Sequence, residues 1–305
     1  MDSVLTATTP VLSVVVVVIC GLTYLARCLN ALCHQYGDQE FEIIVAYDET
    51  LEDIPIIHQS YPQVRLYTIH GMRTPEELAS LGIRKARGSV VALTEDHCIP
   101  DEHWCERTLK VHTIGPHAAV GGTVECTSRT VLEWAFAYCD YYRYLNPVPE
   151  GLTSYLTVCN VAYKRQALEK IANAWENYFH ETIINKALLT RGETLWLTPL
   201  LIVYQERKMR FFPAMRERYS FGWLFGGRRA GAITPQRRWL YILLAPAIPF
   251  LLLGRMLSMA WLRKKNMGIF FKAIPILTAL TLAWSWGEFL GNLSGRTPKE
   301  VYIAR

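Results

Sequence analysis

The stretch Ser89–Trp104, SVVALTEDHCIPDEHW, decides the reading of this chain. An apolar run, Val90-Val91-Ala92-Leu93, stops abruptly at Glu95-Asp96-His97. A proline turn and a new amphipathic segment follow. Three polar, metal-capable side chains at the end of a buried strand carry a desolvation cost unless something uses them. In α/β sheets, ligands bind outside the carboxyl ends of the strands. The cluster is therefore the first candidate for a site.

Upstream, the pattern repeats. Residues 11–19, VLSVVVVVI, are apolar and mostly β-branched, as a parallel strand covered on both faces reads. The apolar run from Val11 to Leu22 has no basic segment before it. Asp2 is the only early charge, so the run is read as a buried strand and not as a signal peptide. Tyr24, Leu25, Cys28, Leu29 and Leu32 recur at helical spacing. Phe41–Ala46, FEIIVA, is a second buried strand, ending at Tyr47-Asp48. Val64–Ile69 is a third. Thr74-Pro75 opens a helix to Arg87, with Glu76 and Glu77 in the first turn, and Gly88 closes it. Strands alternating with helices predict a mostly parallel sheet with right-handed crossovers.

Beyond Ala119 the pattern loosens. Gly121-Gly122 reads as a turn, and Thr130–Arg143 as an aromatic-rich helix whose rings are read as core. Tyr155–Tyr163 reads as a strand carrying Cys159-Asn160. Ala167–Ala174 and Glu181–Leu189 read as helices, and Leu195–Tyr204 as a further strand. Two apolar runs close the chain, Trp239–Leu262 and Gly268–Leu290, with Trp239, Trp261, Trp284 and Trp286 near their ends. At about 1.5 Å per residue, each is long enough to cross a hydrocarbon core of roughly 30 Å. Arg255 interrupts the first, so a hairpin lying in the interface fits the pattern as well as a spanning one.

The 305 residues carry a net charge of +5, with 51% hydrophobic and 19% charged residues, a balance that leans toward membrane association. Nine Lys or Arg and a single acid, Glu217, fall between Arg207 and Arg238. Such a block wants an anionic partner, phosphate or an anionic membrane face. No nucleic-acid motif accompanies it, so nucleic acid is set aside. The eight cysteines are scattered with no CxxC pair, which fits a reducing compartment. His97-Cys98…His103-x-Cys105 lacks the spacing of a zinc finger or ribbon.

The order of landmarks resembles the family 2 glycosyltransferases, inverting enzymes with a nucleotide-binding α/β fold. The resemblance covers roughly residues 11–230. FEIIVAYDET is similar to the family's EIIVVDDGS, and ELASLGIRKARGSVVALTEDH to its A-R-G, strand and aspartate cluster. VGGTVE matches a glycine pair beyond that cluster. NVAYKRQAL resembles N-x-A-x-R-R-x-A-L, and HETIINKALLTRGETLWLTPLLIVYQE resembles an E-D helix segment followed by a strand. The resemblance implies a glycosyltransferase A type sheet over residues 1–230. A basic juxtamembrane segment and a membrane-associated helical hairpin then occupy residues 231–305.

The resemblance also implies roles. Asp48 stands where the family contacts the nucleotide. Glu95, Asp96 and His97 stand on the cluster that holds a divalent cation, Mn2+ or Mg2+, against the diphosphate. Glu181 stands on the general base, and Asn160 lies in the segment shaping the sugar and acceptor pocket. Arg216 and Arg218 follow the last strand, within reach of a diphosphate. Arg228, Arg229, Arg237 and Arg238 abut the first apolar run and favour a cytoplasmic catalytic domain at the cell membrane. The expected partners are a nucleotide-sugar donor, membrane lipids and a hydroxyl acceptor, lipid-linked or otherwise.

Three departures stand out. P-T-Y-N after the first strand is Val17-Val18-Ile19-Cys20 here, the cluster is Glu-Asp-His, and Gln205 replaces a histidine. Imidazole shifts the metal preference from Mg2+ toward Mn2+ or a softer ion. The departures also allow a catalytically inactive relative, a membrane-anchored binding or assembly subunit. A small transporter built on the tail fits poorly, since two spans do not enclose a path.

Overall fold

The computed structural model describes residues 10–37, 40–128, 130–298 and 301–303. Asp2 lies outside them. The chain divides into two compact units, Met1–Glu125 with Val148–Tyr204, and Cys126–Pro147 with Gln205–Arg305.

In chain order the elements are β1 (Leu12–Val17), α1 (Leu22–Cys33), β2 (Phe41–Asp48), α2 (Ile54–Ser60), β3 (Arg65–Ile69), α3 (Pro75–Lys85), β4 (Val90–Glu95), β5 (Cys98–Pro100), α4 (Trp104–Ile114) and β6 (Ala119–Cys126). After α5 (Val131–Tyr141) come β7 (Gly151–Thr153), β8 (Asn160–Lys164), α6 (Arg165–Glu169), α7 (Glu181–Thr190) and β9 (Leu195–Gln205). The chain ends in α8 (Phe211–Ala232), α9 (Pro235–Leu244), α10 (Ile248–Arg263) and α11 (Met267–Ser294).

Among the described residues the strands form a single sheet in the order β3-β2-β1-β4-β8-β6-β9-β5, with β7 on β9. The half that carries the polar cluster is parallel: β1 pairs with β2 and β4, and β2 with β3. β8 then enters antiparallel between β4 and β6. Every residue of β1 and β4 is buried, which explains the unbroken apolar runs. α3 opens at Thr74-Pro75 as expected, and the structure adds a capping box there. Thr74 accepts from Glu77 N at 3.4 Å, and Glu77 Oε2 accepts from Thr74 N at 2.9 Å.

Four expectations need correction. Gly121-Gly122 is not a turn but lies inside β6. A Cβ on Gly122 would stand 2.1 Å from Leu201 O and 2.5 Å from the Asn160 amide, so only glycine lets these backbones close. The strand expected over Tyr155–Tyr163 is the shorter, shifted β8. The helix expected over Ala167–Ala174 splits into α6 and a 3-10 turn at Ala172–Ala174. The first apolar run is broken by a 3-10 turn at Ala245–Ala247, which contains Pro246 and precedes Pro249, into α9 and α10.

In the second unit the basic block proves to be largely α8, a helix the sequence pattern hid. α8 and α11 pack glycine against backbone. Cβ atoms on Gly222 and Gly226 would meet Trp284 O and Glu288 O at 2.2 and 2.3 Å. On Gly287 and Gly291 they would meet Tyr219 O and Trp223 O at 2.1 and 2.3 Å. Reciprocal small residues four apart are how helices approach closely in apolar surroundings. The stretches Pro235–Arg263 and Met267–Ser294 are long and apolar enough to cross a membrane.

Candidate active site at the end of β4

Val17 pairs with Glu95, so β1 and β4 end side by side. Asp96 N donates to Val17 O at 3.0 Å and carries the strand edge one residue further. The chain after β1 turns back through Cys20 and Gly21 into α1. Both of those N–H groups point at one carboxylate oxygen: Asp96 Oδ2 accepts from Cys20 N at 2.7 Å and from Gly21 N at 2.8 Å. Asp96 thus holds the entrance of α1, with the favourable polarity of a helix N-terminus.

The second oxygen is left over. Asp96 Oδ1 is buried, accepts no hydrogen bond among the described residues, and stands 3.5 Å from His97 Nδ1. The other ring nitrogen, His97 Nε2, lies 3.5 Å from Glu95 Oε2. Glu95, Asp96 and His97 are all buried. Burial by itself would lower the His97 pKa. The Cys20 sulfur, the Asp96 carboxylate and the Glu95 carboxylate act the other way and win, holding the imidazole well above its ordinary range.

Two thiols complete the corner: Cys98, which the sequence showed only within a run that lacks zinc-finger spacing, and Cys20, which it did not mark as a ligand. Ligand atoms of Cys20, Asp96 and His97 lie within 4.8 Å of one another, as do those of Glu95, His97 and Cys98. The signal for Cys98 was its place next to His97. The signal for Cys20 was its place at the end of the first strand, where the family's motif is altered. Burial and the neighbouring Cys159 push the Cys98 thiol up, so it stands protonated. His103 and Cys105 belong to neither cluster. His103 stacks on Tyr36 and pairs with Glu106, and Cys105 is buried on α4.

The leftover Asp96 oxygen, an imidazole and a second carboxylate suit a divalent cation. A donor set mixing carboxylate, imidazole and sulfur leans to Mn2+ or a softer ion over Mg2+.

The remaining candidates occupy defined places. Asp48 ends β2 and is buried. Its Oδ1 accepts from Thr50 N at 3.0 Å and from the Thr50 hydroxyl, and its Oδ2 accepts from Arg73 N at 2.9 Å, so it ties two loops at the same sheet edge. Asn160 opens β8 opposite Thr94, one residue before the cluster. Its Nδ2 donates to Thr123 O at 2.9 Å and Leu201 O at 3.0 Å, and its Oδ1 accepts from Trp104 Nε1 at 2.9 Å. It is a cross-link between β6, β9 and α4. Glu181 opens α7 with a side chain 32% exposed, and His180 before it accepts from Thr182 N. The Glu181 charge and, above all, burial push the Tyr163 hydroxyl up.

In the second unit, Arg216 lies over the Tyr302 ring at 4.2 Å. Arg218 is buried, pairs with Asp140 at 2.5 Å and stacks on Phe136 at 4.1 Å. Arg229 pairs with Glu288, and Arg238 donates to the Asn292 and Leu293 carbonyls. These arginines hold the helical unit together.

A sheet whose first half is parallel and gathers carboxylates at its strand ends fits the glycosyltransferase A fold. Residues 13–172, more than half of the chain, match glycosyl transferase family 2, and the chain belongs to that family. Over 128 residues it is 26% identical to glycosyltransferase AglE of Haloferax volcanii. That alignment covers 40% of this chain and 42% of the relative, so the chain matches less than half of that relative's length.

Two solved structures share the fold. The mannosyltransferase PcManGT of Pyrobaculum calidifontis, in complex with GDP-Man and Mn2+, has 15% identity and a TM-score of 0.55, over 94% of this chain and 88% of its own. S. aureus TarS 1-349 in complex with UDP-GlcNAc has 13% identity and a TM-score of 0.50, over 93% and 92%.

Proposed function

We propose that this family 2 member is an active glycosyltransferase that moves a sugar from a nucleotide-sugar donor to an acceptor hydroxyl with inversion, at a membrane, using Mn2+ or Mg2+. Residues 1–230 carry the catalytic work, and residues 231–305 the basic segment and the membrane helices. The observation that carries the reading is the buried Asp96 Oδ1, without a hydrogen bond among the described residues, between His97 and the end of β1. The bound GDP-Man and UDP-GlcNAc of the two structural neighbours support a nucleotide-sugar donor, and the Mn2+ of the first supports the cation.

Asp48 meets the nucleoside at the end of β2. Glu95, Asp96 and His97 hold the cation, which when bound neutralises charge developing on the leaving diphosphate. Asn160 fixes Trp104 and the β6 and β9 backbones beside the sugar. Glu181 takes the proton of the acceptor hydroxyl as its oxygen bonds to the anomeric carbon. The bond to the diphosphate breaks, and the nucleoside diphosphate departs with its electron pair. One displacement with one base inverts the anomeric centre.

Membrane residence is supported by how little the two long apolar stretches bury. The share buried is 22% in the first and 28% in the second, where the core helix of a soluble protein is mostly covered. Trp239, Trp261 and Trp286 are exposed near the ends, where interface anchors belong. The basic segment before them favours the cytoplasmic side of the cell membrane and a membrane-borne acceptor.

The test is transfer from a panel of GDP- and UDP-sugars, with and without EDTA, by the wild type, His97→Ala and Glu181→Gln. Transfer should stop with EDTA, return with Mn2+, and fall in both variants. Full activity of both variants would sink the site assignment.

A further inference from the structure

We infer that the second unit binds an anionic phospholipid in a cavity of its own, apart from the chemistry at β4. The cavity, of about 670 Å3, lies wholly within that unit, between α5, α8, α9, α10 and α11. That is the size range of small-ligand sites. Its walls are largely apolar, with Ile248, Leu252, Met256, Leu280 and Trp284 among them.

Charge gives the occupant its chemistry. Three guanidinium groups line the cavity, those of Arg218, Arg229 and Arg255, against two carboxylates, those of Asp140 and Glu288. Arg218 pairs with Asp140, and Arg229 with Glu288. Arg255 is left over. It sits midway along α10 inside an apolar stretch long enough to cross a membrane, and makes no hydrogen bond or ion pair among the described residues. A cation placed there is costly unless an anion meets it. A second observation points the same way. Arg218 Nε and Arg229 Nε are buried and have no acceptor among the described residues. One excess positive charge and unmet guanidinium donors beside hydrocarbon walls are complementary to a net-negative phosphate head with an acyl chain.

The inference rests on the membrane residence proposed above, and its readout is lipid contact, not sugar transfer. Full-length protein is mixed with phosphatidylcholine vesicles carrying a small fraction of brominated-chain phosphatidylglycerol or brominated-chain phosphatidylcholine. Flotation first separates the two claims: a chain that does not float with the vesicles overturns the membrane reading itself. For the floating protein, Trp239, Trp261 and Trp286 are exposed as well, so the part of the tryptophan quenching that is lost in Trp284→Phe is what reports bromine near Trp284. Brominated phosphatidylglycerol should quench at about fivefold lower mole fraction than brominated phosphatidylcholine. That preference should vanish in Trp284→Phe, which removes the reporter, and in Arg255→Gln. Arg255→Lys should keep most of it. Arg255 is exposed, so its replacement removes little packing. Equal quenching by both lipids, or a preference unchanged in Arg255→Gln or Trp284→Phe, overturns the inference. Abolition by millimolar inorganic phosphate would assign the site to free phosphate and overturn it too.

Discussion

Asp96 Oδ2 receives the N–H of Cys20 at 2.7 Å and the N–H of Gly21 at 2.8 Å. One oxygen of this carboxylate therefore anchors the turn out of β1 into α1, while the other faces His97. The residue splits its duties between architecture and chemistry, and the two can be separated by substitution. Asp96→Asn keeps the shape but removes the charge. It is expected to cost about 1–2 kcal/mol of stability, read by denaturant unfolding, because a charge-assisted double acceptor is lost. Transfer at saturating Mn2+ should fall further, by about 100-fold, as a lost electrostatic contact to developing charge does.

Asn160 makes the opposite prediction. Its side-chain hydrogen bonds among the described residues are all internal, to Trp104, Thr123 and Leu201. Asn160→Ala leaves a buried indole N–H and two carbonyls without their partner. A loss of about 3 kcal/mol is expected in thermal or denaturant unfolding. If the variant kept its stability and lost only transfer, a direct substrate contact would be the better account.

The metal corner predicts a change in ion preference. Cys20→Ser and His97→Ala each replace one donor of a mixed set. The Mn2+ concentration for half-maximal transfer should rise about tenfold or more in His97→Ala. Cys20→Ser should shift the preference toward Mg2+, since a hydroxyl is harder than a sulfur. A metal titration of transfer rate with both ions reads each outcome.

His112 sets an acid limit on stability. It is buried on α4, and its Nε2 donates to Ala162 O at 3.2 Å. Burial pushes its pKa down to about 4, from an ordinary 6.5. The folded protein thus binds fewer protons than the unfolded chain in this window. The stabilisation is complete above about pH 7 and is lost as pH falls through 6.5 toward 4. At pH 5 the loss is about 2 kcal/mol. Unfolding at pH 7, 6 and 5 should show this slope, and His112→Gln should flatten it.

The helix pair α8–α11 predicts a position-specific response to added bulk. A Cβ on Gly226 would stand 2.3 Å from Glu288 O, whereas Gly231 on the same helix has open space. Gly226→Leu should destabilise the protein by about 3 kcal/mol in detergent, through forced separation of the backbones. Gly231→Ala should leave stability unchanged or raise it by about 0.5 kcal/mol through helix propensity alone. Equal effects at the two positions would contradict the close packing.

The sequence determined β1, β2, β4 and the start of α3, because continuous β-branched runs and a Thr-Pro helix opening are local patterns whose physics does not depend on distant contacts. It also determined that Glu95, Asp96 and His97 end a buried strand. Tertiary structure alone decided the rest. Gly121-Gly122 looked like a turn until Asn160 and Leu201 closed on it across the sheet. α8 was hidden because its glycines and Arg229 answer α11 and Arg218 answers α5, not solvent, so no helical period showed in its sequence. Cys20 became a candidate ligand only when the ends of β1 and β4 were set side by side. Residues far apart in the chain carry no local mark of the partner they will meet. The close approach and the gathering of ligand atoms belong to the folded molecule.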